Sequence, residues 1–544
     1  MRWTNVSPKN RHYRHDIGWI PPSCRHGMMA VHESGRYGAP MQSFFKLLAT
    51  GIVAILLVAC RTGTSSSTPA DEAEGGVRYG QLRFHPCTLS GPYSGGNVSA
   101  QCARLDVPEN RDAPEGRHIS LHIAWLPATS DGAETEDPVF FLAGGPGQAA
   151  SSSWPTIDAA FANVRRQRHV ILVDQRGTGL SHPLGCGDTS EDANAETGGD
   201  TFEQVIAATK RCAAQLDADP RHYTTTDAVA DLDQVRAALG AATINLVGVS
   251  YGTRVVQQYA MRHPQRVRTM TLDGIVPNTL ILGSEDARNL DRALGLQFLF
   301  CEQTPSCKEA FGDDLRGQLR TLMTRLSEHP VDAKFRDPNT GELRHDTVTT
   351  EHIIVLTRMF SYVPQAAALL PLVLREADRD RYDPLLALSS MIEQQMNDQI
   401  VLGMQLSVIC AEDADQLKED PAADRYVIGN QTIRLLKAQC SVWPAGERPA
   451  DFHTPLVADI PALLLSGELD PVTPPDYGDQ VAAHLSQGRH LVLQWQGHGS
   501  FNTGCVPRLL GQFLETADAR ALDASCLDSL SYVPPFITFN GWDP

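Results

Sequence analysis

Ser250 stands in Gly248-Val249-Ser250-Tyr251-Gly252, where flanking glycines let the chain turn sharply enough to lift a hydroxyl clear of its own backbone. The apolar run Ile244 to Val249 has the length of a buried strand. Arg254 to His263 continues as a helix, whose N-terminus favours negative charge at the hydroxyl. Such a serine is a weak nucleophile until a base takes its proton and an acid holds that base in the right tautomer. The base is expected at His498, in Gln496-Gly497-His498-Gly499, a loop of small residues that frees the ring to turn toward the serine. The acid is expected at Asp470, in the turn Ser466 to Pro474 that follows the strand Ala462 to Leu465, because such sites lie past the C-terminal ends of strands. Glu468 is the competing acid. His490 is the competing base, but it lies at the start of its strand, the wrong end.

The oxyanion formed by nucleophilic attack needs N–H donors. Ala143-Gly144-Gly145-Pro146-Gly147 follows the strand Val139 to Leu142 and is glycine-rich, so its amides can approach a substrate. The expected donors are the Gly145 and Tyr251 N–H groups.

Elements must carry these residues to one place. His118 to Trp125 alternates as a strand, and Val139–Leu142, His169–Val173, Ile244–Val249, Met270–Leu272, Ala462–Leu465 and His490–Leu493 are short apolar runs bounded by turn residues. Helical stripes lie between several of them, such as Val229, Leu232, Val235 and Leu239 with Gly240 as a stop. That alternation implies an α/β fold with a mostly parallel sheet covered by helices on both faces. From 286 to 450 the pattern changes to helix after helix, with Leu315, Leu319, Leu322 and Leu326 on one stripe. A large helical lid therefore interrupts the core.

The chain has 544 residues, 42% hydrophobic and 20% charged, with a net charge of −18. It is long enough for a large buried core, and so acidic a balance argues against nucleic acid or an anionic bilayer as a partner held by charge. Membrane contact is expected from the front instead. Leu47 to Ala59 carries no charge and is too short to span a bilayer, and Leu57-Val58-Ala59-Cys60 resembles the bacterial lipobox, whose cysteine is lipidated. The expected layout is a leader and lipoprotein signal at 1–59, with translation starting at Met41, a tether at 60–76, core at 77–285, lid at 286–450 and core again at 451–544. The expected place is the bacterial cell envelope.

Past Cys60 ten cysteines remain, and an even number in an exported chain reads as disulfides. Their spacing favours sequential pairing: Cys87 with Cys102, Cys186 with Cys212, Cys301 with Cys307, Cys410 with Cys440, and Cys505 with Cys526. There is no C-x-x-C and no H-E-x-x-H, so neither a metal nor another cofactor is expected.

Taken together, Gly144-Gly145-Pro146-Gly147, Asp174-Gln175-Arg176-Gly177-Thr178-Gly179-Leu180-Ser181, the Ser250 motif, Gly467 to Thr473 and Gly497-His498-Gly499 resemble the prolyl aminopeptidase family of α/β-hydrolase serine peptidases. Within it the chain is similar to the exported tripeptidyl aminopeptidase branch, over roughly Gly76 to the end and least in the lid. Ala143 replaces the histidine that opens the glycine loop in many prolyl aminopeptidases. The resemblance implies an α/β-hydrolase fold, a monomer, peptide substrates and an acyl-enzyme mechanism, with Arg176 bracing loops. It also implies a lid carboxylate that binds the substrate's amino terminus, in Cys410-Ala411-Glu412-Asp413, with Glu412 favoured over Asp413. The alternative is a carboxylesterase or other small-ester hydrolase, because the same triad cleaves esters.

Overall fold

The computed structural model describes residues 76–91, 96–131, 133, 136–186 and 202–540. The leader, Cys60 and the tether up to residue 75 lie outside the described residues. The strands are β1 (Val77–Tyr79), β2 (Leu82–Ser90), β3 (Asn97–Pro108), β4 (His118–Leu126), β5 (Val139–Leu142), β6 (Val170–Val173), β7 (Ile244–Val249), β8 (Val267–Asp273), β9 (Val331–Arg336), β10 (Leu343–Val348), β11 (Ala462–Gly467) and β12 (Gly488–Leu493). Ten of them form one sheet in the order β1-β2-β3-β4-β6-β5-β7-β8-β11-β12. From β6 to β12 every pairing is parallel, while β1 to β4 extend the sheet as an antiparallel wing that joins at β4 and β6.

The central strands read as continuous apolar runs because both faces are covered. In β7, Ile244 and Leu246 enter one core and Val247 the other; in β11, Ala462 and Leu464 alternate in the same way with Leu463 and Leu465. Helix Thr225–Ala238 covers one face, started by a capping box between Thr224 and Asp227. Helix Val506–Thr516 covers the other with Leu509, Leu510 and Phe513.

The insertion carries an apolar core of its own, in which Leu315, Leu319, Leu322 and Leu326 are buried as their spacing predicts. Two features differ from the expected run of helices. The antiparallel hairpin β9–β10 lies within it; its strands are mostly exposed, so they carry no apolar run that could announce them. Helix Leu402–Glu412, near the insertion's end, belongs to the sheet's core through Met404 and Val408. The C-terminal tail returns to the insertion, where the Phe536 N–H donates to the Ala368 carbonyl and Arg375 to that of Ile537.

The ten cysteines past Cys60 are joined in sequential pairs, Cys87–Cys102, Cys186–Cys212, Cys301–Cys307, Cys410–Cys440 and Cys505–Cys526. The first bridges neighbouring strands β2 and β3, and the fourth ties helix Leu402–Glu412 to helix Gln431–Cys440.

Candidate active site

Ser250 sits between β7 and helix Tyr251–Arg262 with φ 55° and ψ −126°. A non-glycine residue held there is strained by about 1–3 kcal/mol, and packing must hold it. The Ser250 N–H donates to the Asp273 carbonyl at 2.8 Å, and the Ser250 carbonyl accepts from the Thr253 N–H at 2.9 Å. The two glycines of the motif are steric necessities. A Cβ on Gly248 would stand 2.6 Å from the Gly252 carbonyl oxygen, and one on Gly252 would stand 2.3 Å from that of Leu142.

Asp470 lies just past β11 and is fully buried. Its Oδ1 accepts from the Val472 and Thr473 N–H groups, each at 2.8 Å, and its Oδ2 from the Thr473 hydroxyl at 2.8 Å. Three donors thus fix the carboxylate's orientation, and His498 Nδ1 stands 2.7 Å from Oδ2. An ionised carboxylate only accepts, so Nδ1 carries the proton and Nε2 is left to act as base. Burial disfavours the imidazolium, but the Asp470 charge and hydrogen bond, with the charge of Asp273, outweigh it and hold His498 above its usual pKa.

Ser250 and His498 each lie against the turn at Asp273 and Gly274. Asp273 accepts the Ser250 N–H through its carbonyl, and a Cβ on the next residue, Gly274, would stand 2.8 Å from His498 Cε1. The glycine-rich loop abuts the same serine, since a Cβ on Gly144 would lie 3.1 Å from Ser250 Cβ. This places the Gly144 backbone and the first turn of helix Tyr251–Arg262 beside Ser250. The competing residues point elsewhere: Glu468 accepts from the Trp495 N–H at 3.0 Å, and His490 is held between Ser466 and Asp479 at 2.9 and 2.8 Å. Arg176 is fully buried, gripping Asp231 through two nitrogens at 2.7 Å and donating to the Glu109 and His222 carbonyls.

The insertion reaches the site at two points. The Val401 N–H donates to the Gly147 carbonyl at 3.0 Å, and the His498 N–H donates to the Tyr362 carbonyl at 2.8 Å. The Tyr362 ring stands edge-on to the imidazole, with centroids 5.1 Å apart. Sequence reasoning missed Tyr362, and no local signal marks it, because the contact joins segments far apart in sequence. It missed Thr473 too, although a Thr three residues after an acid in a turn is a capping pattern.

The amine-binding expectation falls on two buried carboxylates. Asp413 is fully buried, 2.8 Å from Arg254 and 3.0 Å from His453. Glu412 is equally enclosed. Its Oε1 accepts from the Thr225 N–H at 2.6 Å and its Oε2 from the Thr225 hydroxyl at 2.9 Å, and that hydroxyl is 2.6 Å from the Tyr251 phenol. Burial, then the charge of Asp413, pushes Glu412 up to about 8.

Residues 137–300 match the family described as alpha/beta hydrolase fold, and residues 425–526 match the one described as TAP-like protein. The serine protease Hip1 of Mycobacterium tuberculosis is 26% identical over 506 residues, covering 85% of this chain and 94% of Hip1. The tripeptidyl aminopeptidase of Streptomyces coelicolor is 29% identical over 189 residues, 32% of this chain and 35% of that protein. The proline iminopeptidase of Neisseria gonorrhoeae is 30% identical over 182 residues, 34% of this chain and 45% of that protein. The chain has the α/β-hydrolase fold, and its enzymatic class is that of the serine hydrolases. The resemblance to α/β-hydrolase peptidases, read from the motifs, is borne out by these relatives.

Proposed function

We propose that the protein is an exported, lipid-anchored serine peptidase that removes residues or short peptides from the amino terminus of its substrates. The observation that carries the reading is the pair of His498 and the buried Asp470, 2.7 Å apart, against the same Asp273–Gly274 turn that holds the strained Ser250. Ser250 Oγ attacks the scissile carbonyl carbon while His498 Nε2 takes its proton, and the Gly145 and Tyr251 N–H groups receive the negative oxygen. Collapse of the intermediate expels the amine, which leaves with the proton from His498. Water, deprotonated by the same ring, then releases the acyl group and restores Ser250. The relatives named as aminopeptidase and iminopeptidase support action at an amino terminus, and the Met41 to Cys60 segment supports export and anchoring.

The test is Ser250→Ala with peptide amides and short acyl esters side by side. Turnover should fall by roughly 10⁴ or more while the melting temperature holds, and a fluorophosphonate should label the parent alone. Undiminished hydrolysis by the variant sinks the assignment, and turnover of esters without peptides moves the enzyme to the esterases.

A further inference from the structure

Asp273 ends β8 as a fully buried carboxylate outside the triad. Both halves of the residue are used. Its carbonyl accepts the Ser250 N–H at 2.8 Å. Its carboxylate accepts the Ser500 N–H at 2.6 Å and the Ser500 hydroxyl at 2.9 Å, and Ser500 is itself buried. One residue therefore grips the nucleophile turn with its main chain and the histidine loop with its side chain. At its level β7 presents Val249 and β11 presents Leu465, neither of which titrates. The charged groups that face it are His498 and Asp470.

We propose that Asp273 is a positioning residue of the catalytic centre, tying the Ser250 turn to the His498 loop and placing a second negative charge beside the imidazole. The proposal rests on the reading of Ser250 as nucleophile and His498 as base. A hydrogen-bonded tie between two loops fixes the Ser250–His498 approach, and an error of an ångström there lowers the rate steeply. The second charge stabilises the imidazolium that forms when Ser250 gives up its proton. Burial and the charge of Asp470 raise Asp273 to about 6, and the two bonds from Ser500 and the charge of His498 oppose that rise. Above that value the carboxylate carries its charge beside the imidazole, whose own pKa is held above the ordinary histidine value.

The experiment is the rate of fluorophosphonate labelling of the full chain as a function of pH, which requires no knowledge of the substrate. His498 must be neutral to accept the proton, so the acid limb of the labelling rate reports its pKa. Asp273→Asn keeps the shape and removes the charge. Its plateau rate should fall roughly tenfold, and its acid limb should move to lower pH by about half a unit or more, because the imidazole loses a charge that held its proton. A merely structural residue would lower the plateau and leave the limb in place, and an unmoved limb overturns the proposal. Ser500→Ala keeps the carboxylate and loses one bond of the tie; its plateau should fall about threefold with the limb unmoved. If Asp273→Asn does not fold, Ser500→Ala carries the test, and labelling at the parental rate overturns the tie. A parent that takes no label at all refutes the serine-nucleophile reading instead.

Discussion

Glu412 shows how far a residue's role depends on its surroundings. A carboxyl group raised to about 8 by burial and by Asp413 is mostly protonated at neutral pH. Glutamine copies that neutral form, with an N–H able to donate to the Thr225 hydroxyl. The linkage runs in one direction: the unfolded chain releases this proton near the ordinary glutamate value, while the folded chain keeps it up to about 8. Glu412 therefore lowers stability progressively as pH rises between those two values. In Glu412→Gln the melting temperature should fall less than in the parent from pH 5 to 8, and parallel curves would show that the carboxyl is not held neutral. The same variant bears on amine recognition. If Glu412 reads the substrate's amino terminus, Glu412→Gln loses kcat/KM on free peptides and not on acetylated ones, and equal loss on both rules it out.

Between residue and molecule, the strand-to-helix turn depends on closeness of backbones. Gly252→Ala would drive a methyl into the carbonyls of Leu142 and Ala143, 2.3 and 2.6 Å away, and those carbonyls lead into the glycine-rich loop. The variant should lose about 1–3 kcal/mol of stability, and its fluorophosphonate labelling should fall further than its melting temperature explains, because the proposed oxyanion donors would move with the loop. Gly499→Ala is the control: its φ is +81°, but nothing lies within 4 Å of the added Cβ, so it should cost only the about 1–2 kcal/mol of a left-handed backbone. If Gly252→Ala labels at the parental rate, the loop is not held by this contact. The same elements show what was legible in the chain. β5 and β7 stand where their apolar runs put them, since burial on both faces writes itself as a continuous run. β2 and β3 were missed because exposed and half-buried residues break up their apolar ones and a proline interrupts β2, and β9 and β10 because each buries a single residue. Ser250, Asp470 and His498 stand out as candidates because each sits in a turn of small or capping residues beside a readable strand. Asp273 and Tyr362 were not singled out, because their importance arises from contacts between segments far apart in sequence.

At the scale of the molecule, the five disulfides fit the export proposed above, because such bridges persist outside reducing compartments. The same charge bears on how it would be held at a membrane. With a net charge of −18 over the whole chain and more Lys/Arg than Asp/Glu in residues 1–59, the part beyond the leader is more acidic still. An anionic bilayer repels such a body, so no electrostatic attraction is available to substitute for a lost anchor. Among the described residues no helix is long and apolar enough to cross a membrane. Anchoring, as proposed, therefore falls on acyl chains at Cys60, where each buried methylene contributes about 0.8 kcal/mol and more than one chain is needed for stable attachment. Cys60→Ala, expressed in the native cell, should abolish acylation, and mass spectrometry of the parent should find the mature chain beginning at a lipid-modified Cys60. Where the uncleaved leader does not itself retain the variant, it should appear in the aqueous phase of a detergent partition at low and high salt alike. A parent with an unmodified Cys60 would remove the anchor from the proposal, and a processed variant that stays with the membrane until salt is raised would replace it with a charged contact that the net charge gives no reason to expect.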